Sequence, residues 1–187
     1  MKRIVLFASG SGSNVENIAN YFKDNPLVTV TAVFTNKRDA KVIDRCNRLK
    51  INALHFNKTS FSGSDCVINL VKALKPDLIV LAGFLLKIPG DFVKSFPNKI
   101  INIHPALLPK YGGKGMYGMH VHNAVKENKE AETGITIHYV NENYDEGAII
   151  HQAKTSVLDS DSPEDIAHKI HLLEYEHFPK VIEKLLS

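Results

Sequence analysis

Lys99-Ile-Ile-Asn-Ile-His-Pro-Ala-Leu-Leu-Pro109 is the stretch that most constrains the fold. Its three isoleucines form a short apolar run of the kind found in buried parallel strands. Asn102 and His104 are two residues apart, so their side chains project from the same face of that strand. Pro105 biases His104 to an extended backbone and then ends the strand. An amide beside an imidazole at a strand's carboxyl end suits oxyanion stabilisation and proton transfer, although the spacing also fits a purely structural polar pair.

The sequence on either side of this stretch alternates between apolar runs and amphipathic helical patterns. Strands are predicted at 4–8, 28–34, 51–56, 78–84, 134–140 and 148–157. Helices are predicted at 15–22, 39–49, 65–74, 120–128 and from Ser162 towards the C-terminus. The pattern predicts an α/β fold: a doubly wound, mostly parallel sheet with a C-terminal antiparallel hairpin and a final helix. We expect one domain, residues 1–187, with ligands beyond the carboxyl ends of the strands.

The composition excludes several classes of protein. The 187 residues are 44% hydrophobic and 23% charged, with a formal net charge of +3. No run of lysine and arginine marks a nucleic-acid partner, and no segment approaches the roughly 20 apolar residues of a membrane span. Cys46 and Cys66 show no metal-ligand spacing and favour a reducing compartment. The apolar run after Met1 is too short for a signal peptide, so we expect a cytoplasmic protein.

A glycine-rich turn, Ser9-Gly-Ser-Gly-Ser-Asn14, lies between the first strand and the first helix. A strand, a glycine turn and a helix N-terminus together can cradle a phosphate. The dinucleotide fingerprint fails because Val15 stands where its third glycine belongs, and no Gly-Lys-Ser/Thr sequence completes a Walker A motif. A tight structural turn remains the alternative.

Three further features lie in the second half of the chain. The segment 112–118 has four glycines, which fits a mobile lid or a surface loop. His120-Val-His122 suggests zinc, but no third and fourth ligand follow at suitable spacing, so no metal is expected. The loop 141–147 carries three acids, and Glu174 lies in the final helix, where a solvated charge is the default interpretation.

Together these motifs resemble the folate-dependent formyltransferases. The resemblance is carried by Asn102-Ile-His104-Pro-Ala-Leu-Leu-Pro109, Gly10-Ser-Gly-Ser-Asn14, Leu81-Ala-Gly-Phe84 and Asp145-Glu-Gly147, in the right order over nearly the whole chain. It implies a Rossmann-like formyltransferase fold. It also implies transfer of the formyl group of 10-formyltetrahydrofolate to the glycinamide amine of 5'-phosphoribosylglycinamide in purine biosynthesis, by a monomer or weak homodimer without metal.

The resemblance also implies roles for individual residues. Asn102, His104 and Asp145 would be catalytic; the carboxylate is expected to raise the pKa of His104, so that an imidazolium donates to the formyl oxygen. The nucleotide would be bound by Gly12, Ser13, Asn14 and Glu174. The folate would be bound by Leu85, Leu86, Lys87, Ile88, Asn102, Asn141, Glu142 and Tyr144. An arginine that such enzymes often carry near the folate has no counterpart around residues 62–65, and the glycine-rich loop is longer than its common form.

Three alternatives differ in what else they require. A formyltetrahydrofolate hydrolase shares the core motif but usually adds an N-terminal regulatory domain, whereas the first predicted strand here starts at residue 4. A methionyl-tRNA formyltransferase needs a further RNA-binding domain. A non-catalytic nucleotide-binding module would explain the glycine turn, but it would not explain Asn102, His104 and Asp145 together.

Overall fold

The computed structural model describes residues 1–187, and all of its strands belong to one sheet. The strands are β1 (Lys2–Phe7), β2 (Val28–Thr35), β3 (Ala53–His55), β4 (Leu78–Leu81), β5 (Ile100–His104), β6 (Glu132–Tyr139) and β7 (Ile149–Ser156). Their order across the sheet is β3-β2-β1-β4-β5-β6-β7. The first five strands pair in parallel, and β6 is antiparallel to both neighbours. The predicted mostly parallel sheet and its antiparallel hairpin are confirmed.

Seven helices connect and cover the strands. They are α1 (Ser13–Tyr21), α2 (Val42–Leu49), α3 (Lys58–Ser62), α4 (Cys66–Leu74), α5 (Gly90–Ser95), α6 (Met119–Glu127) and α7 (Pro163–Leu186). Helix α7 begins at a capping box in which the side chains of Ser162 and Asp165 each bond the other's backbone amide, which confirms the predicted start of the final helix. Helices α3 and α5 were not predicted, and α2 begins later than expected. None of the helices combines the length and hydropathy that a membrane crossing requires.

The hydrophobic core lies on both faces of the sheet, as a doubly wound fold requires. Alternate residues of β1 point to opposite sides, with Ile4 and Leu6 in one cluster and Val5 and Phe7 in the other. The first cluster includes residues of α1, α2, α6 and α7, and the second includes residues of α3, α4 and α5. Phe7 is central to the second, because its ring lies within 6.2 Å of five other phenylalanine rings.

Three loops at the carboxyl edge of the sheet are tied together by one buried serine. The Ser9 hydroxyl donates to Asn36 Oδ1 at 2.6 Å and accepts from the Leu85 amide at 2.9 Å. These bonds connect the segments that follow β1, β2 and β4. The glycine turn and the segment 83–88 are therefore held side by side at the edge where β5 presents Asn102 and His104.

Candidate active site

A cleft of about 710 Å³ opens at this carboxyl edge. Its walls combine the glycine turn, the end of β5, the loop 113–119, the acidic loop and one side of α7. A smaller cavity of about 80 Å³ adjoins it, lined by residues 84–88 and by part of the acidic loop. Asn102 and Asp145 line both spaces. The fold thus brings together segments that are far apart in the sequence, at the junction of two binding spaces.

His104 is fixed by its contacts in a single orientation. Its Nε2 lies 2.7 Å from the carbonyl oxygen of Tyr111. A carbonyl can only accept a hydrogen bond, so Nε2 carries the proton of the neutral ring. The other nitrogen, Nδ1, lies 3.6 Å from Asp145 Oδ2, which is too long for a direct hydrogen bond. The lone pair of Nδ1 is therefore free for a proton.

The protonation states of this pair differ from the prediction. Burial lowers the pKa of His104 and outweighs the Asp145 charge and the Tyr111 carbonyl, which both raise it. The expectation of a raised pKa, and hence of a resting imidazolium, is wrong. For Asp145, burial acts to raise the pKa, but the neighbouring His138 and His104 rings and the hydrogen bond from the Gly113 amide together hold it below its ordinary value. The site therefore holds a neutral imidazole beside an ionised carboxylate.

Asn102 belongs to a hydrogen-bonded chain that orients its amide. His138 Nδ1 lies 2.8 Å from the Tyr139 carbonyl, which can only accept a hydrogen bond, so Nδ1 carries a proton. His138 Nε2 then accepts from Asn102 Nδ2, at 3.1 Å. The amide nitrogen has a second hydrogen, which is free to donate to a ligand. Because β6 pairs antiparallel with β5, His138 stands directly opposite Asn102.

Asp145 reaches the site through a sharply turned loop between β6 and β7. Its φ is +55°, a conformation that aspartate and asparagine tolerate better than most residues. Gly147 lies so close to β6 that a Cβ there would overlap the carbonyl oxygen of Tyr139. The Gly113 amide donates to Asp145 Oδ2 at 2.9 Å. This bond joins the acidic loop to the glycine-rich loop, which forms one wall of the cleft.

The glycine turn leaves the first backbone amides of α1 open to the cleft. Gly12 has φ +74°, and a Cβ there would overlap the side chain of Val42 in α2. Arg45 Nε donates to the Ser11 carbonyl at 2.7 Å, which supports the turn from behind. Helix α1 begins at Ser13, and its first amides have no intrahelical acceptor. Residues 9–14 line the cleft, so these amides are available to a phosphate.

Glu174 is buried, so its interpretation as a solvated helix charge is wrong. Its Oε2 accepts from Asn14 Nδ2 at 2.9 Å and lies 3.0 Å from His171 Nδ1. The hydrogen bond with Glu174 raises the pKa of His171. The bond from Asn14 joins the glycine turn to α7, beside the residues predicted to hold the nucleotide.

The residues predicted to bind the folate come together with one exception. Those that line the small cavity are Leu85, Leu86, Lys87, Ile88, Asn102, Asn141 and Tyr144. The Lys87 ammonium lies 5.4 Å from the centre of the Tyr144 ring. Glu142 does not line either space; its carboxylate lies 3.5 Å from Lys94 Nζ in α5.

Two histidines of the site were missed from the sequence. His138 shares a strand face with Thr136, which the alternating pattern shows, but its pairing with Asn102 depends on strand register. His122 is 3% exposed and lines the cleft, whereas His120 is exposed and does not. The two histidines of the His-Val-His sequence therefore have different surroundings, and they belong to no group of three or more metal-ligand side chains.

Comparison with known proteins gives a consistent result over the whole chain. The model of the formyl transferase family matches residues 2–182. The chloroplastic phosphoribosylglycinamide formyltransferase of Arabidopsis thaliana is 37% identical over 187 residues, which cover 97% of this chain and 64% of that protein. The phosphoribosylglycinamide formyltransferase of Escherichia coli is 35% identical, over 96% of this chain and 84% of that protein. A crystal structure of glycinamide ribonucleotide transformylase 1 from Geobacillus kaustophilus has a TM-score of 0.91 at 32% identity and covers 100% of both chains.

Proposed function

Because this chain belongs to the formyl transferase family, we propose that it transfers the formyl group of 10-formyltetrahydrofolate to the glycinamide amine of 5'-phosphoribosylglycinamide. The names of the relatives support this choice of substrates. The observation that carries the proposal is the position of Asn102, His104 and Asp145 between the glycine turn and the smaller cavity lined by residues 84–88. Two substrates bound in these spaces would meet at the three side chains.

The nucleotide occupies the larger cleft in this proposal. Its phosphate binds the free amides at Ser13 and Asn14, where Gly12 lets the backbone approach closely. Its sugar and glycinamide then extend along the cleft past Glu174 towards His104. The pterin of the folate occupies the side lined by residues 85–88, with its formyl group directed at Asn102. Holding both substrates in one orientation supplies a large part of the rate enhancement.

The reaction exchanges one C–N bond for another. The uncharged amine attacks the formyl carbon, and negative charge develops on the formyl oxygen. The second hydrogen of Asn102 Nδ2 donates to that oxygen, because the first is already committed to His138. An amide fixed in this way needs no reorganisation as the charge appears, and removing one such donor typically costs about 10²–10³ in rate.

His104 moves the one proton that the exchange requires. After attack, the former amine nitrogen is cationic and loses a proton, which Nδ1 of neutral His104 accepts. The imidazolium that forms is stabilised by Asp145, whose oxygen lies 3.6 Å from Nδ1. When the bond from carbon to N10 of the folate breaks, N10 takes that proton, and tetrahydrofolate leaves. The low pKa of the buried ring suits it to this role, because a resting imidazolium has no lone pair to offer.

The remaining parts of the proposal concern the chain as a whole. We propose that residues 1–187 act as a single formyltransferase domain, supported by the one continuous sheet. Its partners are then its two small-molecule substrates, and it works as a monomer or weak homodimer without metal, nucleic acid or membrane. A cytoplasmic location is supported by the two free cysteines, Cys46 and Cys66.

One assay separates this function from the hydrolase alternative. The protein is mixed with 10-formyltetrahydrofolate, and the folate absorbance is followed with and without phosphoribosylglycinamide. We expect deformylation only when the nucleotide is present. Deformylation at the same rate without it would identify a hydrolase, and no deformylation in either case would leave a binding module.

A further inference from the structure

Two buried polar atoms in the cleft have no hydrogen-bond partner. They are Asn14 Oδ1, in the glycine turn, and His122 Nδ1, in the first turn of α6. The residues are 7% and 3% exposed, and both line the cleft. Buried polar atoms are nearly always paired, so an unpaired one at a cavity wall points to a ligand group that binds there.

Glu174 interacts with both of the residues that carry these atoms. Its carboxylate accepts from the amide nitrogen of Asn14, so Asn14 directs its oxygen elsewhere. The same carboxylate acts on the pKa of His122, as do the rings of His171 and His104. Asn14, His122 and Glu174 thus belong to one polar region of the cleft, to which the glycine turn, α6 and α7 each contribute.

The chemistry of these groups selects the part of the ligand that binds there. The Asn14 oxygen and the Glu174 carboxylate can only accept hydrogen bonds, so they call for donors and repel a phosphate. His122 is neutral, because burial lowers its pKa more than the Glu174 charge raises it. A neutral imidazole donates one hydrogen bond and accepts one. Hydroxyl groups satisfy all three residues, since each hydroxyl both donates and accepts.

We propose that His122 Nδ1 hydrogen-bonds a ribose hydroxyl of the bound nucleotide and that His122 thereby distinguishes ribose from deoxyribose. This inference rests on the proposed function, which supplies a ribosyl substrate. The hydroxyl occupies the polar region beside Glu174, while the phosphate remains at the amides of α1. His122 is then a specificity-determining residue, and it takes no part in the proton transfer at His104.

Matched substitutions at residue 122 test the inference. His122→Asn keeps a polar atom near the position of Nδ1, whereas His122→Gln moves the amide to the position of Nε2, and His122→Phe keeps the ring without nitrogen. His120→Phe is the control, since His120 lies on the same helix outside the cleft. Calorimetry measures the dissociation constants of phosphoribosylglycinamide and of its 2'-deoxy and 3'-deoxy analogues for each protein.

We expect the wild type to bind one deoxy analogue about 10–100-fold more weakly than the ribosyl compound, because loss of that hydroxyl leaves buried groups unpaired. For His122→Phe and His122→Gln, we expect the dissociation constants of the deoxy analogue and of the ribosyl compound to differ by no more than about threefold. His122→Asn and His120→Phe are expected to keep the ratio of dissociation constants found for the wild type. Binding of a folate analogue by every variant verifies that the site is folded. If His122→Phe disrupts packing, the comparison of His122→Asn with His122→Gln is sufficient.

Two results would overturn the inference, and they differ in what else they overturn. If the Gln and Asn variants keep the wild-type ratio for both deoxy analogues, His122 is a packing residue, and the proposed function stands. If the wild type binds no phosphoribosylglycinamide, the inference and the proposed function fall together.

Discussion

Replacing Asp145 with asparagine removes one charge from the site and leaves its shape in place. The backbone at this position has φ +55°, which asparagine adopts as readily as aspartate. An asparagine oxygen can still accept from the Gly113 amide, which donates to Asp145 Oδ2 at 2.9 Å in the wild type. The substitution therefore tests the charge of Asp145 separately from its contribution to the loop.

The expected loss of activity follows from one distance. Asp145 Oδ2 lies 3.6 Å from His104 Nδ1, where the transferred proton resides. At an effective dielectric constant of about 20, two unit charges at this separation attract by about 4–5 kcal/mol. Imidazolium shares its charge between two nitrogens, which reduces the attraction to about 3–4 kcal/mol. We expect kcat at neutral pH to fall by about 10²–10³, since each factor of ten corresponds to about 1.4 kcal/mol.

The same substitution has a predictable effect on the titration of His104. The Asp145 charge raises the pKa of His104 against the larger effect of burial. Its removal is therefore expected to lower that pKa further. Single-turnover kinetics and the pH titration of the imidazole resonances by nuclear magnetic resonance measure the two effects independently. Glu146→Gln, an exposed acid in the same loop, is the matched control and is expected to change neither.

The refuting result is equally specific. Suppose that Asp145→Asn is folded by circular dichroism, retains kcat within about threefold of the wild type, and leaves the His104 titration unmoved. The carboxylate would then have no electrostatic role, and the proton transfer proposed for His104 would have lost its partner.

Four further predictions address the rest of the cleft. Ser13→Asp places a negative charge where the phosphate is proposed to bind, and aspartate is favourable at a helix N-terminus. Calorimetry is expected to show that the variant binds the nucleotide at least about tenfold more weakly and a folate analogue with unchanged affinity. An equal loss of affinity for both ligands would contradict phosphate binding at this turn. Gly12→Val is expected to lower the free energy of unfolding by at least about 2 kcal/mol in urea, because its Cβ overlaps α2, so it cannot serve as a selective probe of phosphate binding. Trypsin is expected to cut the loop 112–118 in the free protein but not with nucleotide and folate analogue bound; cleavage that ignores ligands would leave a passive surface loop. His104 and His122 have lowered pKa values in the folded protein, so both are protonated more readily in the unfolded chain, and the free energy of unfolding is expected to fall as the pH drops below about 6.5. His122→Phe is expected to make the free energy of unfolding less dependent on pH in this range. Urea titrations that give the same pH dependence as the wild type would contradict this prediction.

Most of the sheet could be predicted from the sequence because buried strands leave strong local signals. Apolar runs and period-two alternation located β1, β2, β5, β6 and β7. Helices α3 and α5 are only 5 and 6 residues long, too short for a periodic pattern. Helix α3 depends on Asn57, whose side chain caps it by accepting from the Ser60 amide, and α5 depends on packing of Phe92. The cap at Asn57 is a local signal that the sequence analysis missed, whereas the packing of Phe92 becomes readable only once the surrounding fold is known.

Local sequence patterns predicted only part of the candidate site. Spacing alone placed Asn102 and His104 on one face, but Asp145 and Glu174 came only from the family resemblance. The contact from Asn14 to Glu174 joins residues 160 positions apart, which no local pattern reveals. The predicted direction of the His104 pKa shift was wrong because the sequence gives the types of neighbouring groups but not the degree of burial. Burial has the larger effect on this pKa.

The most direct test of the proposed function follows the formyl carbon itself. The wild-type protein is supplied with 10-formyltetrahydrofolate labelled with ¹³C in the formyl group, together with phosphoribosylglycinamide, and the products are observed by nuclear magnetic resonance. We predict that the label appears in a formamide carbon of the nucleotide, in amounts equal to the tetrahydrofolate formed. Label released as free formate, with the nucleotide unchanged, would contradict formyl transfer by this chain.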